Sequence, residues 1–211
     1  MKTDDLINAI SEDAPVRWSL GRAFGLAVIV GTAFSAMLFF VGFRPRPDIA
    51  TAAETWRFLF KFAVTASLAV SACGLILRLV RPGAQPGGWR LALVVAPLLL
   101  IGAVAVEMMV MPPASWGTRW MGVNARYCLM LIPLLALGPL ACILYALRQG
   151  APENPGRAGA VAGLAASGIA ATLYASHCVD DSPFFVATWY SLATGIVTVL
   201  GYIAGRRLLR W

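Results

Sequence analysis

A chain of 211 residues, 59% of them hydrophobic and 13% charged, stands far from soluble domains, where the figures are about 45–50% and about 25%. That balance excludes a soluble globular fold and defines an integral membrane protein. Seventeen Lys and Arg against ten Asp and Glu give a formal charge of +7; most of these cations stand at the ends of apolar runs, so the excess reports orientation in the bilayer rather than a nucleic-acid partner.

The chain opens with Met-Lys-Thr-Asp-Asp-Leu-Ile-Asn-Ala-Ile-Ser-Glu-Asp-Ala-Pro-Val. Thr3 suits a helix N-cap, Asp4 and Asp5 suit the positive end of the helix dipole, and Leu6, Ile7 and Ile10 make one apolar stripe that Pro15 ends. So short an amphipathic helix is marginal alone and needs a surface to bind, since isolated helices below about 12–15 residues rarely hold in water. Lys2 against Asp4, Asp5, Glu12 and Asp13 makes the segment acidic. Anionic lipid repels such a face and a basic protein attracts it. The first apolar run that follows is too long for a signal-peptide core and has no small-residue cleavage site after it, so it is expected to remain as an anchor.

A bilayer core takes about 20 apolar residues per helix, and six runs qualify, near 23–43, 56–80, 91–111, 125–147, 158–176 and 185–205. Proline and glycine clusters separate them at 44–47, 81–88, 112–113 and 150–156, where helices end and turns form. The predicted fold is an all-α polytopic membrane bundle of six transmembrane helices. Lys2, Arg17, Arg22, Arg78, Arg81, Arg90, Arg148, Arg157, Arg206, Arg207 and Arg210 fall on one side of it, and Arg44, Arg46, Arg57, Lys61, Arg119 and Arg126 on the other. Eleven against six puts the N-terminus and the C-terminus in the cytoplasm.

The fifth loop then faces outward. The stretch from Tyr174 to Tyr190 gathers a thiol, Cys178, the sole histidine, His177, and two carboxylates, Asp180 and Asp181, within five residues. Such groups hold transition metals or meet oxidants where solvent reaches them; the plainer reading is a polar turn between two membrane helices. Cys128 lies near the outer end of the fourth helix, at a level where it can meet Cys178. Cys73 and Cys142 lie in inner halves; Cys142 is 14 residues beyond Cys128, about 21 Å along a helix. An inner-to-outer disulfide is thereby excluded, because bridged Cα atoms lie within about 7 Å. No CxxC pair is present, which argues against a zinc ribbon or thioredoxin-type motif. Glu107 and Lys61 near outer helix ends suit either a mutual pair or snorkelling to the interface.

Two separated segments, Lys2-Thr3-Asp4-Asp5-Leu6-Ile7 with Pro15-Val16, and His177-Cys178-Val179-Asp180-Asp181-Ser182-Pro183 with Trp189-Tyr190, resemble the NrsF family of six-helix inner-membrane anti-sigma factors. The likeness extends over the chain in length and helix count. It implies a non-enzymatic regulator in the bacterial inner membrane. Residues 1–22 would be a cytoplasmic amphipathic segment that binds an extracytoplasmic-function sigma factor, through Asp4, Asp5, Leu6, Ile7 and Ile10. Residues 23–211 would be a six-helix transmembrane sensor domain with a short cytoplasmic tail. It further implies that Cys128 and Cys178, on the periplasmic side, carry a stress signal from heavy metals or oxidants, with His177, Asp180, Asp181 and Glu107 as auxiliary groups. A disulfide needs only proximity, whereas a tight metal site needs three or four ligands; direct thiol chemistry is the expectation, with Cys128 and Cys178 as the metal ligands otherwise. No resident cofactor is implied beyond a transient heavy-metal ion, and no direct nucleic-acid contact. A membrane thiol-disulfide oxidoreductase would want a second exchanging pair on the same side, and a small transporter would want ionisable groups near the midplane.

Overall fold

The computed structural model describes Asp5, Ile7 and residues 19–81, 83–85 and 87–210, and all regular structure among them is helical. Six helices are long and apolar enough to cross a membrane: α1 (Leu20–Gly42), α2 (Trp56–Leu79), α3 (Trp89–Val110), α4 (Ala125–Leu147), α5 (Pro155–Ala175) and α6 (Pro183–Leu208). Each expected run is present, its ends displaced by a few residues. Thr55 Oγ1 accepts the Phe58 N–H at the start of α2, and Asn154 Oδ1 accepts the Arg157 N–H at the start of α5, where Pro155 takes the first helical position. The segments 43–55, 111–124 and 176–182 gather at one end of the bundle, here the loop end. The opposite, terminal end holds the start of α1, the end of α6 and the 80–88 and 148–154 connections, joined by a bond from Gly83 N to Glu153 Oε1.

More than half of helix α5 is Ala and Gly, and these small side chains let α2, α4 and α6 close around it. Against α6 the backbones touch. A Cβ added at Gly159 would lie 2.2 Å from Gly201 O, and one at Gly201 would lie 2.3 Å from Gly159 O. This is the close approach that small residues four apart permit in membranes. On the other flank, α1 packs on α4. Pro139 has no N–H to give to the carbonyl four residues back, which frees Leu135 O. Ser35 Oγ of α1 donates to that oxygen at 2.5 Å, and Gly31 faces Pro139 so closely that a Cβ would sit 2.6 Å from its Cα. Helix α3 is peripheral: it packs along α2 and meets α6 at that helix's first turns. A π-helical stretch, Val186–Tyr190, interrupts α6 near the loop end.

Candidate functional site

The Ser176–Ser182 connection folds inward over the loop end. Cys178 N still donates to Tyr174 O, so the chain makes one last helical turn before it departs, and the Cys178 side chain drops into the core with no exposed surface. Cys128, in the first turns of α4, is equally enclosed, and the two belong to one hydrophobic cluster with Tyr174 and Tyr190. The thiols lie within electrostatic reach of one another. Both tyrosine hydroxyls come into range of the Cys178 sulfur, yet neither has a hydrogen-bond partner among the described residues. An outward, solvent-reached Cys178 is therefore corrected to an inward one. Burial pushes its thiol above the ordinary value, with the nearby Lys61 charge pulling the other way. A buried neutral thiol is a poor nucleophile, so reaction demands that the loop open.

Charged groups hold the loop down. Lys61, without exposed surface on α2, donates from Nζ to the Cys178 carbonyl at 2.8 Å and stands 2.5 Å from Asp181 Oδ1. Arg46 donates to Asp181 Oδ2 at 2.8 Å and grips Asp48 through Nε and Nη2, both at 2.7 Å. These bonds, first to Asp48, keep the Arg46 guanidinium charged, and they hold the Asp48 carboxyl below its usual range. Asp180 accepts from Val123 N, Asn124 N and Asn124 Nδ2 at 2.8–3.2 Å. It thus ties the loop to the N-terminus of α4, the helix that bears Cys128. Gly122, at φ 56°, makes that approach, and a Cβ there would strike Asp180 and Phe185.

Glu107, also buried, takes Arg57 Nη2 at 2.9 Å and Arg119 Nη1 at 3.2 Å, and Ser182 Oγ reaches it at 3.5 Å. Pairing is what makes a buried carboxylate tolerable. Neither snorkelling nor a Lys61–Glu107 pair occurs; each ion finds partners on other elements. An open cleft of about 730 Å³ lies beside these groups, lined by Arg57, Arg119, Asp180, Asp181 and Ser182 among others.

His177 stands apart from the thiols. Its Nδ1 lies 2.7 Å from Arg44 O, and because a carbonyl only accepts, that nitrogen carries the proton. Its ring meets Phe39, Phe43 and Tyr174. Among the described residues no three His, Cys, Asp or Glu side chains converge to hold a metal ion. The donor set does not fit a resident metal, and Cys128 with Cys178 offers two soft ligands only. In the N-terminal segment, Asp5 and Ile7 are helical and exposed, and Asp4, Leu6 and Ile10 lie outside the described residues. Sequence reasoning missed Lys61, Arg46, Arg57 and Arg119 as anchors, and Tyr174 and Tyr190 as companions of the thiols. One signal was there to find: the six cations on the Cys178 side stand beside five carboxylates, Asp48, Glu54, Glu107, Asp180 and Asp181, a near balance that points to pairing.

Fold and site together define a six-helix membrane protein with a thiol pair sealed beneath an ion-paired loop. The profile of the NrsF family, described as negative regulator of sigma F, matches residues 11–211. The chain is 33% identical over 219 residues to the anti-sigma-F factor NrsF of Caulobacter vibrioides (strain NA1000 / CB15N), and 30% identical over 217 residues to the probable anti-sigma-F factor NrsF of Azospira oryzae (strain ATCC BAA-33 / DSM 13638 / PS). Both alignments cover the whole of each chain. The chain belongs to the NrsF family. No solved structure matches it.

Proposed function

We propose that this protein is an anti-sigma factor of the bacterial inner membrane. It holds an extracytoplasmic-function sigma factor through residues 1–22 and releases it when Cys128 and Cys178 meet an oxidant or a heavy-metal ion. The observation that carries the reading is the full-length likeness to anti-sigma-F factors, joined to the burial of both thiols within electrostatic reach of one another. At the partner end, Leu6, Ile7 and Ile10 would enter an apolar groove, while Asp4 and Asp5 pair with cations on a sigma surface that otherwise meets DNA, which must be basic. At the loop end, two thiols give up two electrons and two protons to the oxidant and join as a disulfide, or release their protons to water and bind a soft ion as thiolates. Either product replaces two separate neutral side chains with one linked or charged unit, and the pocket packed around them no longer fits.

Exchange of Cys128 and Cys178 together for Ser tests the sensing half. Sigma-dependent transcription in that strain is expected to stay at its uninduced level under oxidant or heavy metal, and an unchanged response removes it. Leu6→Asp with Ile7→Asp tests the binding half. The sigma factor is expected to be lost from the solubilised complex, and undiminished co-purification removes that contact.

A further inference from the structure

A trough runs along the membrane-facing side of the bundle, between α3 and the α5–α6 pair, with α2 as its floor. Its middle is a hollow of about 460 Å³ lined by Leu68, Pro97, Leu100, Leu164, Thr194 and Val199. A second hollow, of about 420 Å³, follows toward the terminal end, floored by Leu75, Leu79 and Val161. The two succeed one another on the same helices, since Val161 precedes Leu164 by one turn of α5 and Leu75 follows Leu68 by two turns of α2.

The mouth of the second hollow carries Arg81, Arg90 and Arg157. All three are exposed, and none forms an ion pair among the described residues. The contrast with the loop end is plain, where Arg46, Arg57 and Arg119 each hold a carboxylate. One carboxylate, Glu153, lies in the lining and takes the Gly83 N–H. The N-termini of α3 and α5 also open here, and both present positive dipole ends. An anion therefore belongs at the mouth and an apolar chain below it. From Arg157 to Ala171, which lines the far end of the trough, is about 21 Å at ~1.5 Å per residue, enough to cross one leaflet of a hydrocarbon core about 30 Å thick.

We propose that this trough binds one anionic phospholipid, its phosphate held by Arg81, Arg90 and Arg157 and one acyl chain lying along α2 and α5. The acidic segment 1–16 complements the charge of the mouth as well. It does not suit the trough, because its four carboxylates, Asp4, Asp5, Glu12 and Asp13, would have to leave water for an apolar lining. The site is independent of the thiols and of partner capture.

The test is native mass spectrometry of the full chain in neutral detergent, with dioleoyl phosphatidylglycerol, dioleoyl phosphatidylcholine and glycerol 3-phosphate offered separately. One phosphatidylglycerol is expected to remain per chain, with at least tenfold preference over phosphatidylcholine, and glycerol 3-phosphate is not retained. Arg81→Gln, Arg90→Gln and Arg157→Gln combined erase the preference, each change weakening phosphatidylglycerol about fivefold. These side chains are exposed and unpaired, so the bundle keeps its thermal midpoint. Gly195→Leu, at a position with open space where its Cβ would stand, blocks the trough and weakens both lipids. Equal retention of the two lipids by the wild-type chain overturns the proposal, as does a triple variant that keeps the preference. A preference that arises only after residues 1–18 are deleted also overturns it, assigning the mouth to that segment.

Discussion

Lys61 has no exposed surface in a spanning helix, and its ammonium is tolerated there by three contacts: the Asp181 carboxylate, the Cys178 carbonyl and the face of Phe58 at 5.4 Å. Removal of one member of a buried ion pair costs about 3–5 kcal/mol. Lys61→Ala belongs at the lower end, because Arg46 keeps its grip on Asp181. The loop then lifts more often, and Cys178 is expected to react with a maleimide at least tenfold faster than in the wild-type chain; an unchanged rate would show that Lys61 does not hold the loop. The Arg46–Asp48 pair should not weaken between pH 7 and pH 5. Asp48 has a folded-state pKa below its ordinary 3.8 because of Arg46. Its contribution is present above that ordinary value and is lost only as pH falls through the lower folded one. The sequence displayed Lys61, Cys178 and Asp181 but not their meeting, since 117 positions separate the lysine from the carbonyl it holds.

At the scale of the element, the α5–α6 contact rests on glycine. Gly159→Val adds three carbons where one already meets Gly201 O at 2.2 Å, so α6 must move away along its length. A loss of about 1–3 kcal/mol is expected, in line with other overpacked cores, read as a lower thermal midpoint in detergent. Gly195→Ala on the outer face of α6 is the matched control, because open space surrounds it. The spacing of Gly159 with Gly163 and of Gly201 with Gly205 is the small-residue pattern that permits a close approach, but it does not say which helices approach. These helices are apolar on all sides, and such a sequence carries no stripe to say which face turns inward. For the same reason α5 could be counted as a membrane span without being recognised as the centre of the bundle.

For the whole molecule, the six spans were legible because hydrocarbon thickness sets their length and proline and glycine mark their ends. The enclosed thiols were not, because a polar loop is expected at the surface and only the tertiary pairing of Asp180, Asp181, Arg46 and Lys61 turns it inward. From the count of cations we propose that the termini lie in the cytoplasm, and that placement is open to direct measurement. In a background where all four cysteines are Ser, Val179→Cys is expected to react with an impermeant maleimide on intact spheroplasts, and Arg207→Cys only after permeabilisation. Val179 is 46% exposed, so it reports sidedness without a loop opening. Reaction of both sites in intact spheroplasts would put the loop and the C-terminal tail in one compartment and remove the signalling scheme.

The Ser35–Leu135 bond has a mechanical sequel. Helix α1 begins at Leu20, and its Gly31 contact with Pro139 of α4 sits eleven residues further in, about 17 Å along the axis. The two helices are therefore fastened at backbone level, through the Gly31–Pro139 contact and the Ser35–Leu135 bond. If α1 follows α4 as one body, a tilt of about 5° about that contact would displace Leu20 by roughly 1.5 Å over this arm. A proline that cannot donate a hydrogen bond has thus tied the helix that follows the leader to the thiol-bearing helix.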